Sequence, residues 1–109
     1  MTDLRSAVVT GATGLVGSAL CRCLTEAGIR VYAVARPGSV RADHVPAEAE
    51  TVFCALADLA RLPSMIPEAD AFFHLGWEGA FGPARQDRPL QEDNVRCAVL
   101  AAEAAKTLG

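Results

Sequence analysis

Three glycines at a fixed spacing are the residues of this sequence best suited to bind a phosphate group. They form the series Gly11-x-x-Gly14-x-x-Gly17 within the segment TGATGLVG, directly after a short apolar stretch. The first glycine can take a tight turn, the second leaves room for a pyrophosphate beside the backbone, and the third lets a helix pack closely on a sheet. The N-terminus of that helix adds free N–H groups and a partial positive charge. The spacing therefore predicts a phosphate-binding turn.

The segments on either side of the turn decide between this hypothesis and a role in tight packing alone. A strand is predicted over residues 6–10, an amphipathic helix from about 15 to 27, and a second strand over 31–35, and this is the context that a dinucleotide-binding turn needs. A P-loop is excluded because no Gly-Lys-Ser/Thr follows Gly11 at the required distance. We therefore predict that a dinucleotide contacts Gly11, Thr13, Gly14, Leu15, Val16 and Gly17.

The end of the second strand, Ala35-Arg36, bears on which dinucleotide is expected. A site that prefers NAD usually has an acidic residue there for the ribose hydroxyls. The sequence offers none before Asp43, whereas Arg36, with Arg41 further along, could pair with a 2′-phosphate through its guanidinium group. We therefore expect NADP in preference to NAD. Two other interpretations of Arg36 stay open: a solvated loop arginine, or stacking on the adenine without a phosphate contact.

The remaining segments continue the alternation of short strands and helices. We predict strands over 51–54 and 71–75, a short helix or turn over 57–66, and a helix over 90–108. We expect Pro63 to break the short helix, and Glu92 and Asp93 to lie in the first turn of the long one. The first helix should bury one stripe, formed by Leu15, Val16, Ala19, Leu20, Cys23, Leu24 and Ala27. Right-handed crossovers give an α/β fold with a Rossmann-like parallel sheet in order 3-2-1-4, an incomplete doubly wound domain.

The end of the fourth strand should face the same crevice, because an open α/β sheet binds its ligand at the carboxyl ends of its strands. Leu75, Gly76 and Trp77 occupy that end. Trp77 could line the nicotinamide or substrate side, or it could simply anchor the loop, and both interpretations stay open. His74 lies within the buried strand, where we expect a structural role.

Composition limits the other functions that the chain could have. Its 109 residues form one domain, and the net charge of −3 makes electrostatic capture of nucleic acid or of an anionic membrane unexpected. No apolar run is long enough to span a membrane, and the N-terminus has no secretory pattern. The four cysteines have no zinc-like spacing, so we expect buried free thiols, no metal site and a cytoplasmic location.

The segment TGATGLVG resembles the TGxxGxxG turn of the extended short-chain dehydrogenase/reductases, the NAD-dependent epimerase/dehydratase type. Ala57-Asp58-Leu59 is similar to the Asp-Leu pair of that family, and Phe72 to Gly76 resembles the His-Leu-Ala end of its fourth strand. Asn94-Val95 resembles the Asn-Val of the equivalent family helix. The resemblance implies that Asp58 and Leu59 hold the adenine. Asp58 could instead, or in addition, cap the short helix that follows it.

The catalytic Tyr-x-x-x-Lys of that family is absent, because the one tyrosine is Tyr32 and the one lysine is Lys106. We therefore predict no catalytic residue. One hypothesis is the N-terminal part of an NAD(P)-dependent epimerase, dehydratase or reductase acting on a sugar nucleotide or a small carbonyl or alcohol. The alternative is a non-catalytic dinucleotide-binding or sensing module, whose open sheet edge would favour a homo-oligomer. An exposed edge of this kind is unfavourable for a free-standing module, and this cost favours the first hypothesis.

Overall fold

A four-stranded parallel sheet forms the centre of the molecule. The structure, a computed structural model, describes residues 4–39, 42–77 and 82–109. The strands are β1 (Ser6–Thr10), β2 (Arg30–Ala35), β3 (Glu50–Phe53) and β4 (Ala71–His74). They lie in the order β3-β2-β1-β4 with all three pairings parallel, which confirms the predicted topology. In the described part, β4 pairs with no strand on its outer edge, and self-association through that edge stays a prediction.

Helical segments cover the two faces of the sheet. The α-helices are α1 (Leu15–Glu26), α2 (Leu62–Met65) and α3 (Arg88–Leu108), and shorter 3-10 helices span Ala42–His44, Leu56–Arg61 and Gly82–Gln86. Alternate residues of β1 point to opposite faces, so Val9 joins a core with residues of α1, whereas Val8 joins a core with residues of α2 and α3. Burial on both faces explains why β1 and β2 read as nearly continuous apolar runs.

The predicted buried stripe of α1 is wrong in part. The buried residues of this helix are Gly17, Cys21 and Leu24, with Leu20 packed beside them, a spacing of one helical face. Five members of the predicted stripe are exposed and so do not lie on this face: Leu15, Val16, Ala19, Cys23 and Ala27. The helix packs on the sheet through Gly17, which has no side chain. Its buried face is therefore rotated relative to the predicted apolar stripe. The predicted C-terminal glycine is confirmed, since Gly28 has a φ of 82° and donates to the Thr25 carbonyl.

Two other helix boundaries differ from the prediction. Pro63 does not break a helix, because it lies in the first turn of α2, where proline is tolerated. The long helix begins earlier than residue 90, since Asp87 is its N-cap and accepts a hydrogen bond from the Leu90 N–H at 3.2 Å. Glu92 and Asp93 therefore lie beyond the first turn, which contains no acidic residue. The side chain that complements the free N–H groups at this helix end is therefore that of the N-cap residue, Asp87.

The cysteines are all free thiols, and they differ in exposure. Cys21 and Cys54 are buried, Cys97 is partly buried and Cys23 is exposed, so the expectation of four buried thiols is wrong for Cys23. Burial raises the pKa of the Cys21 thiol. Over the described ranges, no cluster of three or more histidine, cysteine or acidic side chains could hold a metal ion. None of the helices in the same ranges has the length and apolarity required to cross a membrane.

Candidate functional site

A cleft of about 460 Å³ opens at the carboxyl ends of the strands. Its lining includes seven of the predicted ligand-binding residues, contributed by the turns after β1, β2 and β4: Gly11, Thr13, Gly14, Arg36, Leu75, Gly76 and Trp77. It also includes residues that the sequence did not single out: Val34, Ala35, Cys54, Leu56, Ala84 and Leu90. The topology thus brings together turns that are widely separated in the sequence.

Two of the three turn glycines are required by the packing of the protein itself. Gly11 has a φ of 66°, and a Cβ on it would lie 2.7 Å from the Leu75 carbonyl carbon. A Cβ on Gly17 would lie 2.0 Å from the Gly11 carbonyl oxygen, well inside van der Waals contact. These contacts join the start of α1 to the turn, and the turn to the backbone after β4.

Gly14 is different because nothing in the described part of the protein fills the space beside it. A Cβ there would meet only the Gly11 carbonyl oxygen, at an ordinary distance of 3.4 Å. Its φ of −76° and ψ of 174° are open to any residue. Gly14 faces the cleft and is the N-cap of α1. The absence of a side chain at this position therefore keeps the cleft open rather than the protein packed.

The N-terminus of α1 presents free donors beside this opening. The first hydrogen bond of the helix is donated by the Ser18 N–H to the Gly14 carbonyl at 2.9 Å, so the N–H groups of residues 15–17 have no acceptor within the helix. No side chain caps this end, and no acidic residue lies in the first turn. Leu15 is 89% and Val16 67% exposed at the same end. An anion would therefore meet an uncompensated positive end of the helix dipole.

The Thr10 hydroxyl ties the end of β1 to the turn after β4. Its Oγ1 accepts hydrogen bonds from the Leu75 and Gly76 N–H groups, both at 3.0 Å, and lies 2.7 Å from His74 Nδ1. The two N–H groups occupy both acceptor lone pairs of the hydroxyl oxygen. Thr10 must therefore use its one proton to donate to Nδ1, which places the imidazole proton on Nε2. Thr10 is completely buried. It thus fixes the position of Gly76 at the floor of the cleft.

His74 has a structural role in this arrangement. Burial lowers its pKa below the usual value for histidine. Its Nε2 is buried and has no hydrogen-bond partner among the residues that the structure describes. A second proton would also place a donor against the Thr10 hydroxyl, whose oxygen already accepts two bonds. The ring is therefore held in its neutral form, as an acceptor for Thr10.

The β2 and β3 side of the cleft combines one exposed cation with apolar walls. Arg36 is exposed and borders both the main cleft and a second pocket of about 410 Å³, which reaches Asn94 and Cys97 on α3. Leu56 separates the two pockets, and its side chain reaches the space in front of Gly76. Burial, the main cause, raises the pKa of the Cys54 thiol, which donates to the Asp58 carbonyl at 3.3 Å. Cys54 is thus an inert wall that also holds the turn after β3.

Asp58 and Leu59 lie apart from the residues that line the cleft. Leu59 is fully buried in the core between the sheet and α3, and Asp58 is exposed inside the 3-10 helix Leu56–Arg61. Asp58 lies at a kink inside this segment, with a φ of −110° and a ψ of 17°, whereas the N-cap of the segment as a whole is Ala55, which makes no side-chain cap bond. Arg41, the second arginine predicted to bind a 2′-phosphate together with Arg36, lies outside the described residues.

Trp77 combines the two interpretations that the sequence left open. Its indole lines the cleft and is 48% exposed, while its Nε1 donates to Gln91 Oε1 at 2.9 Å. The side chain is therefore both an anchor of the loop and a wall of the site. Gln91, in α3, was not predicted, since no local pattern marks a contact between residues 14 positions apart. Leu56 could have been found, because it follows β3 and so belongs to the ligand-binding edge.

The comparisons with known proteins agree with this geometry. The family model described as "NAD dependent epimerase/dehydratase family" matches residues 7–109. The chain belongs to this family. No curated protein matches the sequence well enough to count as a relative. Membership implies dinucleotide binding, and nothing in the comparisons supports the expected preference for NADP over NAD.

Solved structures of epimerases share the fold. A UDP-galactose 4-epimerase is 27% identical with a TM-score of 0.82, over 95% of this chain and 35% of its own. An epimerase of Methanothermobacter thermautotrophicus is 26% identical with a TM-score of 0.78, over 98% and 33%. A Thermus thermophilus UDP-glucose 4-epimerase in complex with NAD shares the fold at 18% identity, with a TM-score of 0.81 over 95% and 34%. This member of the epimerase/dehydratase family thus spans about a third of the length of these proteins.

The tyrosine and the lysine of this family member do not line the cleft. Tyr32 is buried in β2, within the core against α3, and Lys106 is exposed in the last turn of α3. The described lining of the cleft therefore includes neither side chain.

Proposed function

We propose that this chain binds a nicotinamide dinucleotide in the cleft, as the cofactor-binding part of an epimerase, dehydratase or reductase. The observation that carries the proposal is the space at Gly14: the fold itself does not need a glycine there, whereas a pyrophosphate passing the backbone does. The free N–H groups of residues 15–17 lie at the same place, with no acidic side chain to compete. The cleft residues therefore fit the group that the family is described as using.

The order of the strands supports one direction for the dinucleotide. With its pyrophosphate at the turn after β1, one half of the ligand extends towards β2 and β3 and the other towards β4. We assign the adenosine half to the side of Arg36 and the second pocket, which Leu56 and Asn94 border. The nicotinamide half then lies beside Gly76 and Trp77. Asp58 would reach the adenine from the rim, and Leu59 would support that rim from the core.

We further propose that Arg36 lets the site accept a 2′-phosphate, so that NADP binds as well as NAD. The residue before it, Ala35, ends β2, and no carboxylate stands at the strand end to repel a phosphate. The guanidinium is exposed at the border of both pockets. A planar fork of donors is suited to a phosphate group in such a position.

In the whole protein, we propose that the bound cofactor serves a hydride-transfer reaction on a sugar nucleotide or a small carbonyl or alcohol. The cofactor supplies the hydride acceptor or donor. The residues of this chain hold it: the α1 N-terminus binds the phosphates, and the Thr10 tie keeps Gly76 in place beside the nicotinamide half. The acid–base group of the reaction would come from residues outside this chain, because neither Tyr32 nor Lys106 borders the cleft.

The test compares two alanine substitutions in the phosphate-binding turn. We expect Gly14→Ala to weaken NADH binding by about tenfold or more, because a methyl group would occupy the path of the pyrophosphate. Its unfolding free energy should stay within about 1 kcal/mol of the wild type. NADH fluorescence titration and urea unfolding measure the two effects. Ala19→Gly, on an exposed position of α1, is the control for helix stability. Unchanged NADH affinity in Gly14→Ala, or no NADH binding by the folded wild type, would contradict the proposal.

The role of Arg36 needs its own variant. Arg36→Ala should weaken NADPH binding more than NADH binding, by about tenfold for a lost charge-assisted contact. Arg85→Ala, which removes an exposed arginine that borders neither pocket, controls for the change in net charge. An equal loss for both dinucleotides in Arg36→Ala would remove the phosphate contact.

A further inference from the structure

One glutamine connects Trp77 to the beginning of α3. Gln91 Oε1 accepts the indole N–H of Trp77 at 2.9 Å and an amide N–H of Asn94 at 3.0 Å. Its Nε2 donates to the Ala84 carbonyl at 3.2 Å. The backbone N–H of Gln91 also donates to the carbonyl of the cap residue Asp87 at 3.0 Å. The side chain therefore joins the loop after β4, the 3-10 helix Gly82–Gln86 and α3.

This network needs an amide. A glutamine side chain can accept two hydrogen bonds on its oxygen and donate through its nitrogen at the same time. A carboxylate could accept from Trp77 and Asn94 but would repel the Ala84 carbonyl, and a thioether side chain of similar length could serve none of these bonds well. Asn94 is almost completely buried beside Gln91, so the acceptor oxygen is fixed from the protein side.

The group held by the network faces the cleft. Trp77, Ala84 and Leu90 all line the main cleft, and Leu90 also borders the second pocket. Trp77 is 48% exposed even though its indole N–H is bonded, so a large part of its surface is accessible to a ligand. An aromatic ring fixed at its polar edge presents that surface at little further cost in conformational entropy.

We propose that Gln91 is a positioning residue that holds the Trp77 indole as the wall against which the nicotinamide–ribose half of the dinucleotide packs. This inference rests on the proposed function, because it assigns a contact to the ligand proposed there. It follows from two placements: Trp77 lies after β4, on the opposite side of the phosphate-binding turn from Arg36, and its polar edge is taken by Gln91. The adenosine half, assigned to the side of Arg36, would then lie across the turn from this wall.

The positioning role is tested first without ligand, using the fluorescence of Trp77, the single tryptophan of the chain. Gln91→Met should increase the acrylamide quenching constant about twofold and lower the anisotropy, because the ring loses its tether. Gln91→Glu should fall between this variant and the wild type. Gln86→Met makes the same chemical change at an exposed residue one turn away and should leave both signals unchanged. A folded Gln91→Met protein with wild-type quenching would overturn the positioning role.

The ligand contact is tested by calorimetry with two probes, NADH and ADP-ribose, which lacks the nicotinamide. Trp77→Ala should weaken NADH binding about tenfold and ADP-ribose binding less than about twofold, since one aromatic contact is lost. Gln91→Met should weaken NADH binding by about threefold and ADP-ribose binding less, since ADP-ribose can lose only what Asn94, released from Gln91, contributes at the second pocket. Equal losses for both probes would overturn the assignment to the nicotinamide half.

Two further results separate this inference from the proposed function. If the wild type binds neither NADH nor ADP-ribose, the proposed function fails and the ligand contact fails with it, while the quenching experiment still decides whether Gln91 positions Trp77. If Gln91→Met does not fold, the Trp77→Phe variant replaces it. This variant keeps an aromatic ring without the N–H donor, and it should show the smaller NADH loss expected of an untethered wall; wild-type affinity would overturn the role of the tether.

Discussion

The two sides of the cleft are built by different means. The turn after β1 is fixed by backbone packing within seven consecutive positions, where Gly17 presses on the Gly11 carbonyl. The wall after β4 is fixed by side-chain hydrogen bonds between residues far apart in the sequence, through Gln91 and Trp77. Under the proposed function, the first side would bind the phosphates, a group common to all nucleotides, and the second would face the nicotinamide half, the part of the ligand that reacts. A rigid, local motif thus serves the general contact, and a longer-range network serves the specific one.

The difference predicts how each side responds to substitution. On the β1 side, Gly11 and Gly17 leave no room for a single added carbon, so we expect losses of folding at these two positions. On the β4 side the groups are joined by bonds that can be removed singly, so we expect graded effects on the position of Trp77 and on stability. Thr10 belongs to both sides, since it ends β1 and accepts bonds from the turn after β4.

The largest effect should come from Gly17→Ala. A Cβ at this position would lie 2.0 Å from the Gly11 carbonyl oxygen, and the main chain of the turn would have to move to relieve the overlap. We expect a loss of about 3 kcal/mol in the free energy of unfolding, despite the higher helix propensity of alanine. Urea unfolding followed by circular dichroism measures it. The matched control, Gly14→Ala, adds the same carbon three residues earlier and should lose less than about 1 kcal/mol; equal losses would end the distinction between the glycines.

The second effect, Thr10→Val, breaks the tie between the two sides. Valine has the shape of threonine but leaves the Leu75 and Gly76 N–H groups without their acceptor. We expect a loss of about 2 kcal/mol in unfolding free energy, the cost of unpaired donors at a site that is partly or fully buried. Thr10→Ser keeps the hydroxyl and should recover most of the hydrogen-bond contribution. If Thr10→Val were as stable as the wild type, the hydroxyl would not hold the turn after β4.

The same contrast explains what could be predicted from the sequence. The order of the sheet and the position of the phosphate-binding turn follow from short apolar runs and from adjacent glycines, which are local signals. The predicted buried face of α1 was wrong in part. The prediction followed the spacing of apolar residues such as Leu15 and Val16, whereas the helix packs through Gly17. These two residues are instead exposed at the N-terminus of α1, and neither is among the described residues that line the cleft. Periodicity alone cannot tell a buried apolar face from an exposed one.

The wall after β4 could not have been predicted in this way. The sequence left Trp77 either as an anchor or as a ligand contact, because nothing near it indicates a partner for the indole N–H. Its partner is Gln91, a residue type that is common on exposed helix faces and carries no pattern. Only the packing of α3 against the end of the sheet brings the two together. Long-range polar pairs are therefore the part of such a site that depends on a three-dimensional structure.

The third effect tests the β4 side through its helix cap. Asp87→Ala removes the acceptor of the Leu90 N–H at the start of α3 and should lower the unfolding free energy by about 1 kcal/mol. Because Gln91 lies in the next turn, Trp77 quenching by acrylamide should rise slightly, while ADP-ribose affinity stays unchanged. Glu92→Ala is the matched control, since it removes an exposed ion pair with Arg88, which contributes little, and Glu92 borders neither pocket. An Asp87→Ala protein with lower ADP-ribose affinity would show that the two sides are not independent.

The smallest effect is the dependence of stability on pH through His74. Burial lowers the pKa of this residue in the folded protein, so the unfolded chain takes up the proton at a higher pH than the folded one. The stability contributed by the neutral ring is therefore complete above the unfolded pKa, near 6.5, and is lost as the pH falls through the lower folded value. Thr10 reinforces the effect, because its hydroxyl donates to the nitrogen that would be protonated.

Thermal unfolding of the wild type and of His74→Gln between pH 5 and pH 8 measures this contribution. We expect the wild type to lose more stability than His74→Gln as the pH falls below about 6.5, since glutamine can accept the Thr10 bond without titrating. His44→Gln removes an exposed histidine and should keep the wild-type profile. Matching profiles for the wild type and His74→Gln would mean that a proton on His74 does not disturb the Thr10 tie, and the two sides of the cleft would then be joined independently of pH.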